Sequence, residues 1–90
     1  MSRRVLAVMD TLIALLATQG PCTADLLARL SGGHRWLVHR RLRAAWGEDL
    51  VSVIATTRAG DVWRLTARGR ARAVQLREDE PRFARLARTR

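Results

Sequence analysis

The sequence contains no lysine and no tyrosine, only one cysteine, and no long apolar run. A single cysteine excludes a disulfide within the chain and is typical of a reducing compartment, so we expect a cytoplasmic protein. The longest apolar stretch, Val5 to Leu16, is interrupted by Asp10 and is too short to span a bilayer. Gly20-Pro21-Cys22 does not resemble a signal-peptide cleavage site, so neither secretion nor membrane insertion is expected.

The charge is strongly one-sided. The 90 residues include 17 basic ones, all of them arginine, against eight acidic ones, which gives a formal net charge of +9. So large an excess on one small domain favours a polyanionic partner, although a solvated surface that aids solubility is the alternative. A guanidinium group can donate two parallel hydrogen bonds to a phosphate or a guanine edge, which an ammonium group cannot.

Nothing in the sequence supports catalysis. The carboxylates lie mostly at expected caps, turns and helix ends, and no pair has a convincing spacing. His34 and His39 are five residues apart, about 140° around a helix, so they do not converge on a metal as an i, i+4 pair would. We therefore expect no enzyme, no metal site, no cofactor and no small-molecule ligand. Cys22 is interpreted as a small, half-buried residue, with a thiol sensor as the alternative.

Apolar spacing predicts three helices before residue 50. The first runs from Val5 to Thr18 and carries apolar residues around more than one stripe. The second is short and is capped by Thr23, and Leu26, Leu27 and Leu30 form its predicted buried edge. A glycine turn follows, and the third helix covers about residues 34–46.

After residue 50 the periodicity changes to that of strands. Residues 51–56 and 62–65 are predicted to pair as a hairpin, with Trp63 and Leu65 buried. Thr66 caps a fourth helix at about 67–77, and a last helix covers about 81–88. The order helix, helix, helix, strand, strand, helix, helix is a mainly α fold with a β-hairpin wing, the plan of a winged helix-turn-helix. We predict one domain over residues 1–90, with the winged-helix core at about 5–75 and a helical extension at 76–90.

Three segments resemble bacterial winged-helix regulators of the MarR and PadR types. Residues 23–32, TADLLARLSG, are similar to their T-x-x-x-L-A-x-x-S/T-G stretch, and residues 63–69, WRLTARG, to Y/W-x-L-T-x-x-G at the close of the wing. The spacing of apolar residues in the recognition helix and at the start of the wing of these regulators is also present here, at Val38, Leu42, Ala45, Leu50 and Val51. The chain departs from the pattern at Ala45, where leucine is usual, and at Asp49, where glycine is usual. The resemblance implies a DNA-binding fold.

The third helix offers the candidate DNA-binding residues. If Val38, Leu42 and Ala45 face the core, Trp36, Arg40 and Arg43 lie on the opposite face, with Arg35 and His39 on the flank. That face enters the major groove in helix-turn-helix proteins. Trp36 could stack on a sugar, contact a thymine methyl group or pack under the wing. With the wing tip, the predicted DNA-binding residues are Arg35, Trp36, His39, Arg40, Arg43 and Arg58.

These features predict a sequence-specific regulator of transcription that binds double-stranded DNA, with residues 34–46 in the major groove and residues 51–65 on the backbone or minor groove. A non-specific architectural or RNA-binding protein, and a winged helix that binds only proteins, are the alternatives.

We also predict a homodimer through the first and last helices. The first helix is apolar over more of its circumference than one small domain can cover, and Phe83 and Leu86 add an apolar stripe on the last helix. The alternative is that the last helix folds back across the first helix of its own chain.

Overall fold

The computed structural model describes residues 8–79. Along the chain lie α1 (Val8–Gln19), β1 (Cys22–Thr23), α2 (Ala24–Ser31), α3 (Arg35–Gly47), β2 (Val51–Thr57), β3 (Gly60–Leu65) and α4 (Ala67–Asp79). The predicted mainly α fold with a β-hairpin wing is confirmed. The start of the predicted first helix at residues 5–7 and the predicted last helix at 81–88 lie outside the described residues.

The hairpin belongs to a three-stranded antiparallel sheet with the order β1-β3-β2. Cys22 in β1 is opposite Trp63, and Val51 in β2 is opposite Leu65. The sequence did not predict β1, because a two-residue strand shows no alternation and its partner lies far along the chain. Ile54 is an extra residue between the pairs that Val53 and Ala55 form with β3, so β2 contains a bulge.

Side chains and backbone conformation define the ends of the helices as the residue pattern predicts. The hydroxyl of Thr23 accepts a hydrogen bond from the backbone nitrogen of Leu26 at 3.2 Å, and that of Thr66 accepts one from Gly69 at 3.0 Å. Asp49 has a φ of 61°, the left-handed conformation for which the related pattern uses glycine. Aspartate tolerates this conformation better than most residues, so the turn after α3 is kept without the glycine.

Helix α1 is the centre of the core. Residues 12 to 16 are all at most 5% exposed, because α2, α3, α4 and β3 pack around this helix. Its wide apolar surface thus contacts four neighbouring elements of the same chain. The chain itself covers these residues, however, so this part of the argument for a dimer is wrong: burial of Leu12 to Leu16 needs no second copy.

The buried edge of α2 also differs from the prediction. Leu27 is fully buried, but Leu26 and Leu30 are 36% and 44% exposed, and Ala24 and Ala28 are buried instead. On a helix, Ala24 and Ala28 lie on one side of Leu27, whereas Leu26 and Leu30 lie on the other. The structure turns the side with the alanines toward the core, since small side chains let α2 pack closely against its neighbours.

The start of α4 is bonded to the turn between α3 and β2. The backbone nitrogen of Thr66 donates to the carbonyl of Leu50 at 3.0 Å, and the hydroxyl of Thr66 donates to the carbonyl of Asp49 at 2.6 Å. One turn later, a Cβ atom on Gly69 would collide with the same Leu50 carbonyl. The L-T-x-x-G segment is therefore a packing motif, in which glycine permits the close approach of two backbones.

Cys22 is interior rather than half-buried. Its side chain is 3% exposed, and its thiol donates to the carbonyl of Gly20 at 3.2 Å. Burial raises the pKa of this thiol, which disfavours the reactive thiolate. The arrangement favours a structural role in β1 over a thiol sensor.

Candidate nucleic-acid interface

Helix α3 has the two faces that the sequence predicts. Val38, Leu42 and Ala45 are at most 2% exposed, while Arg40 and Arg43 on the opposite side are exposed. No acidic residue occurs between Arg35 and Gly47. The outer face of α3 is therefore a positively charged ridge, held by an apolar stripe that fixes the rotation of the helix.

Trp36 lies on this ridge and is 66% exposed. The guanidinium carbon of Arg40, one helical turn further on, lies 5.6 Å from the centroid of the Trp36 ring, within the range of a cation–π contact. Of the three placements that the sequence left open for Trp36, packing under the wing is excluded by this exposure.

The flank of α3 toward the wing is aromatic. Trp63 of β3 is 1% exposed, and the rings of His39 and Trp46 contact it edge-on, with centroid distances of 6.3 and 5.8 Å. These contacts fix the angle between α3 and the sheet. His39 is thus exposed yet held against the base of the wing, rather than on the outer ridge with Arg40.

Among residues 8–79, Arg35 is the one arginine of α3 that has an acidic partner. Its Nε atom lies 3.5 Å from Oδ1 of Asp25 in α2; the Arg35 side chain is largely exposed and that of Asp25 is about half exposed. The pair connects the two helices of the helix-turn-helix. The sequence did not predict this contact, since no spacing rule relates residues in different helices.

The wing ends in a tight turn at Arg58 and Ala59. The hydroxyl of Thr57 donates to the carbonyl of Gly60 at 2.9 Å and accepts from the backbone nitrogen of Ala59 at 3.1 Å. Gly60 has a φ of 111°, which favours glycine at this position. This bonding places the exposed side chain of Arg58 at the tip.

A groove of about 520 Å³ separates the first half of α3 from the wing. Its charged lining is mixed, because Asp25 and Asp61 lie there together with Arg35. Asp61 accepts a hydrogen bond from the hydroxyl of Thr56 across the hairpin at 3.0 Å. The unbalanced positive charge is therefore on the ridge and the wing tip, on either side of the groove.

The structure brings Trp36, Arg40 and Arg43 together on the ridge, places Arg35 and His39 on the flank, and puts Arg58 at the wing tip. Their contact with DNA stays a prediction. Within residues 8–79, no group of three or more His, Cys, Asp or Glu side chains could hold a metal ion. No helix in the same range is long and apolar enough to cross a membrane.

Comparison with known proteins finds structural neighbours only. No protein-family model and no curated protein matches the sequence. A MarR family regulator from Neisseria meningitidis superimposes with a TM-score of 0.75 at 21% identity, over 89% of this chain and 58% of that one. The protein RV1404 from Mycobacterium tuberculosis gives 0.76 at 24% identity, over 92% and 58%. The MarR family protein RV2887 of the same organism, in complex with p-aminosalicylic acid, gives 0.62 at 24% identity, over 94% and 68%.

The chain therefore has the winged-helix fold of these neighbours, two of which are MarR family proteins, and the resemblance seen in the sequence is confirmed at the level of the fold. The chain spans 58% of the length of the first two neighbours. The fold places α3 where a winged helix has its recognition helix and β2–β3 where it has its wing.

Proposed function

We propose that this chain is a regulator of transcription that binds double-stranded DNA in a sequence-specific manner. The observation that carries the proposal is the outer ridge of α3, where Arg40 and Arg43 are exposed and have no ion pair among the described residues. A ridge of this kind, on the second helix of a helix-turn-helix, has the shape and charge that the major groove accepts.

In the proposed complex α3 lies in the major groove. Arg40 and Arg43 donate to guanine edges, Arg35 and His39 lie beside them, and Arg58 on the wing contacts a phosphate or the adjacent minor groove. Binding requires no chemistry from the protein. Regulation would follow from occlusion or bending of promoter or origin DNA.

The test is selection of bound genomic DNA fragments followed by titration at several salt concentrations. We expect a recurrent motif and, if about six phosphates are neutralised, a slope of log K against log salt near −5. A steep slope without sequence preference would support the architectural alternative. Failure to retain any nucleic acid at low salt would overturn the proposal in favour of a module that binds proteins.

A homodimer is the second part of the proposal, because a single recognition helix contacts only a short half-site. Two copies would place two α3 helices about 34 Å apart, one DNA turn. On α4, Val74 is 52% exposed and would be covered by the second copy in this dimer. The apolar stripe of Phe83 and Leu86, on which the prediction also depends, lies outside the described residues.

The dimer is tested by sedimentation of the intact chain and of a chain lacking residues 81–90. We expect a dimer at micromolar concentration, and weaker self-association with a marked loss of affinity for paired half-sites after truncation. A shortened chain that is still dimeric would exclude the last helix from the interface, and a monomeric intact chain would contradict the dimer altogether.

A further inference from the structure

Trp36 and Arg40 contact each other although both residues are exposed. The guanidinium of Arg40 lies over the Trp36 ring at 5.6 Å, and Arg40 has no acidic partner among residues 8–79. A free arginine side chain loses conformational entropy when it binds. Contact with a ring on the same helix removes part of that loss before DNA arrives.

The contact also leaves the donors of Arg40 available. A guanidinium interacts with an aromatic ring through its planar face, whereas its hydrogen-bond donors project from its edge. A guanine presents O6 and N7 to such an edge in the major groove. Trp36 can therefore hold the group without competing for the hydrogen bonds that would recognise guanine.

Trp36 itself presents a large apolar surface to solvent, 66% exposed. The only apolar group on the major-groove edges of the base pairs is the 5-methyl group of thymine. Residues four apart on a helix are separated by about 6 Å along its axis. In a helix lying in the groove, this separation corresponds to at most about two base-pair steps of about 3.4 Å.

We propose that Trp36 and Arg40 read DNA as one unit, with Arg40 on a guanine and Trp36 on the methyl group of a thymine within two base pairs of it. This inference rests on the proposed function and adds to it the class of sequence that is recognised. Trp36 has two roles in it, as a positioning residue for Arg40 and as a reader of the thymine methyl group.

The experiment compares the duplex selected by the intact chain with the same duplex carrying uracil in place of thymine, which lacks only the methyl groups. We expect the intact chain to bind the uracil duplex about fourfold more weakly for each methyl group that Trp36 covers. Trp36→Ala should bind both duplexes with equal affinity. Arg43→Ala is the matched control, since it weakens binding but should keep the difference between thymine and uracil.

The coupling is tested with Arg40→Lys, which keeps the charge but cannot donate as a bidentate pair. We expect it to reduce the preference for the guanine by about tenfold. In Trp36→Ala the same guanine preference should also fall, because Arg40 is no longer held. Trp36→Phe, which keeps an aromatic face, should restore part of it, and thermal melting of each variant checks the fold.

The outcomes separate this inference from the function on which it rests. If Trp36→Ala still distinguishes thymine from uracil, Trp36 is not the reader of the methyl group and the inference is overturned. If Trp36→Ala weakens binding to both duplexes while the guanine preference is unchanged, Trp36 does not position Arg40, and the proposal that the two residues act as one unit is overturned. Stacking of Trp36 on a sugar would give the second of these results. If no duplex is preferred by the intact chain, it is the proposed function that fails.

Discussion

Arginines on two sides of this molecule differ in whether they have hydrogen-bond or ion-pair partners within the described residues. On α4, Arg72 lies 3.3 Å from Asp10 of α1, and Arg70 donates to the carbonyl of Leu65 at 3.3 Å. On the α3 ridge, Arg40 lies over the Trp36 ring, and neither Arg40 nor Arg43 has an acidic partner within the described part of the chain. A net charge of +9 therefore does not by itself locate an interface.

The difference follows from what each side packs against. On the side of α1 and α4, Arg70 and Arg72 lie next to elements that the core holds in place, so each has a partner within the chain. The ridge and the wing tip project away from the core, so the guanidinium donors of Arg40, Arg43 and Arg58 are exposed to solvent. In a complex with DNA, phosphates would contact these donors and release the counterions that they hold in free DNA. We call the side formed by α1 and α4 the scaffold side. Substitutions there should mainly change the free energy of unfolding, whereas substitutions on the ridge should mainly change the affinity for DNA.

The largest effect should come from inserting a side-chain atom where the backbones of Gly69 and Leu50 approach each other on the scaffold side. Gly69→Ala places a Cβ atom against the Leu50 carbonyl, and we expect the free energy of unfolding to fall by about 3 kcal/mol. Gly47→Ala is the matched control, since a Cβ there meets no atom within 4 Å, and it should be neutral or slightly stabilising. Thermal or urea unfolding measures both, and equal effects would contradict the packing argument.

Removing a ridge arginine should change affinity and leave stability intact. Arg40→Ala or Arg43→Ala should each weaken binding to the selected duplex by about 1–3 kcal/mol and relax base preference, if each arginine is bidentate to a base. Arg77→Ala, an exposed arginine of α4, removes the same charge and is the control. Should Arg77→Ala weaken binding and relax base preference equally, total charge rather than the ridge determines affinity.

The wing arginine should show a third kind of effect. Arg58→Ala should weaken binding to all sequences alike and make the slope of log K against log salt shallower by about one unit, because one phosphate contact is lost. Titrations at several salt concentrations, on specific and random duplexes, provide the measurement. If Arg40→Ala and Arg43→Ala behave as Arg58→Ala does, α3 is only a phosphate clamp and the proposed sequence specificity has no basis.

The smallest effect should come from the scaffold ion pair. Asp10→Asn or Arg72→Gln should change the free energy of unfolding by less than about 1 kcal/mol, since both side chains are partly exposed to solvent. A double-mutant cycle in urea measures the coupling. A value of several kcal/mol would mean that the pair holds α4 in place, and the scaffold side would then depend on charge as well as on the core.

The candidate site was predictable where it depends on periodicity within one element. Val38, Leu42 and Ala45 fix which side of α3 is buried, and Trp36, Arg40 and Arg43 then lie on the other side by geometry alone. The ion pair of Arg35 with Asp25 and the contact of His39 with Trp63 were not predictable, because each joins two elements whose relative placement no local pattern contains.

Local chemistry therefore determined the elements of this protein, their order and their ends, since Thr23, Thr66 and the turn glycines act on backbone within a few residues of themselves. Tertiary structure decided how those elements pair and pack against one another. It added the strand β1, turned α2 so that Ala24 and Ala28 rather than Leu26 and Leu30 are buried, and enclosed α1 within its own chain. These outcomes depend on how closely whole surfaces fit together, and close packing is a property of the assembled core rather than of any one segment.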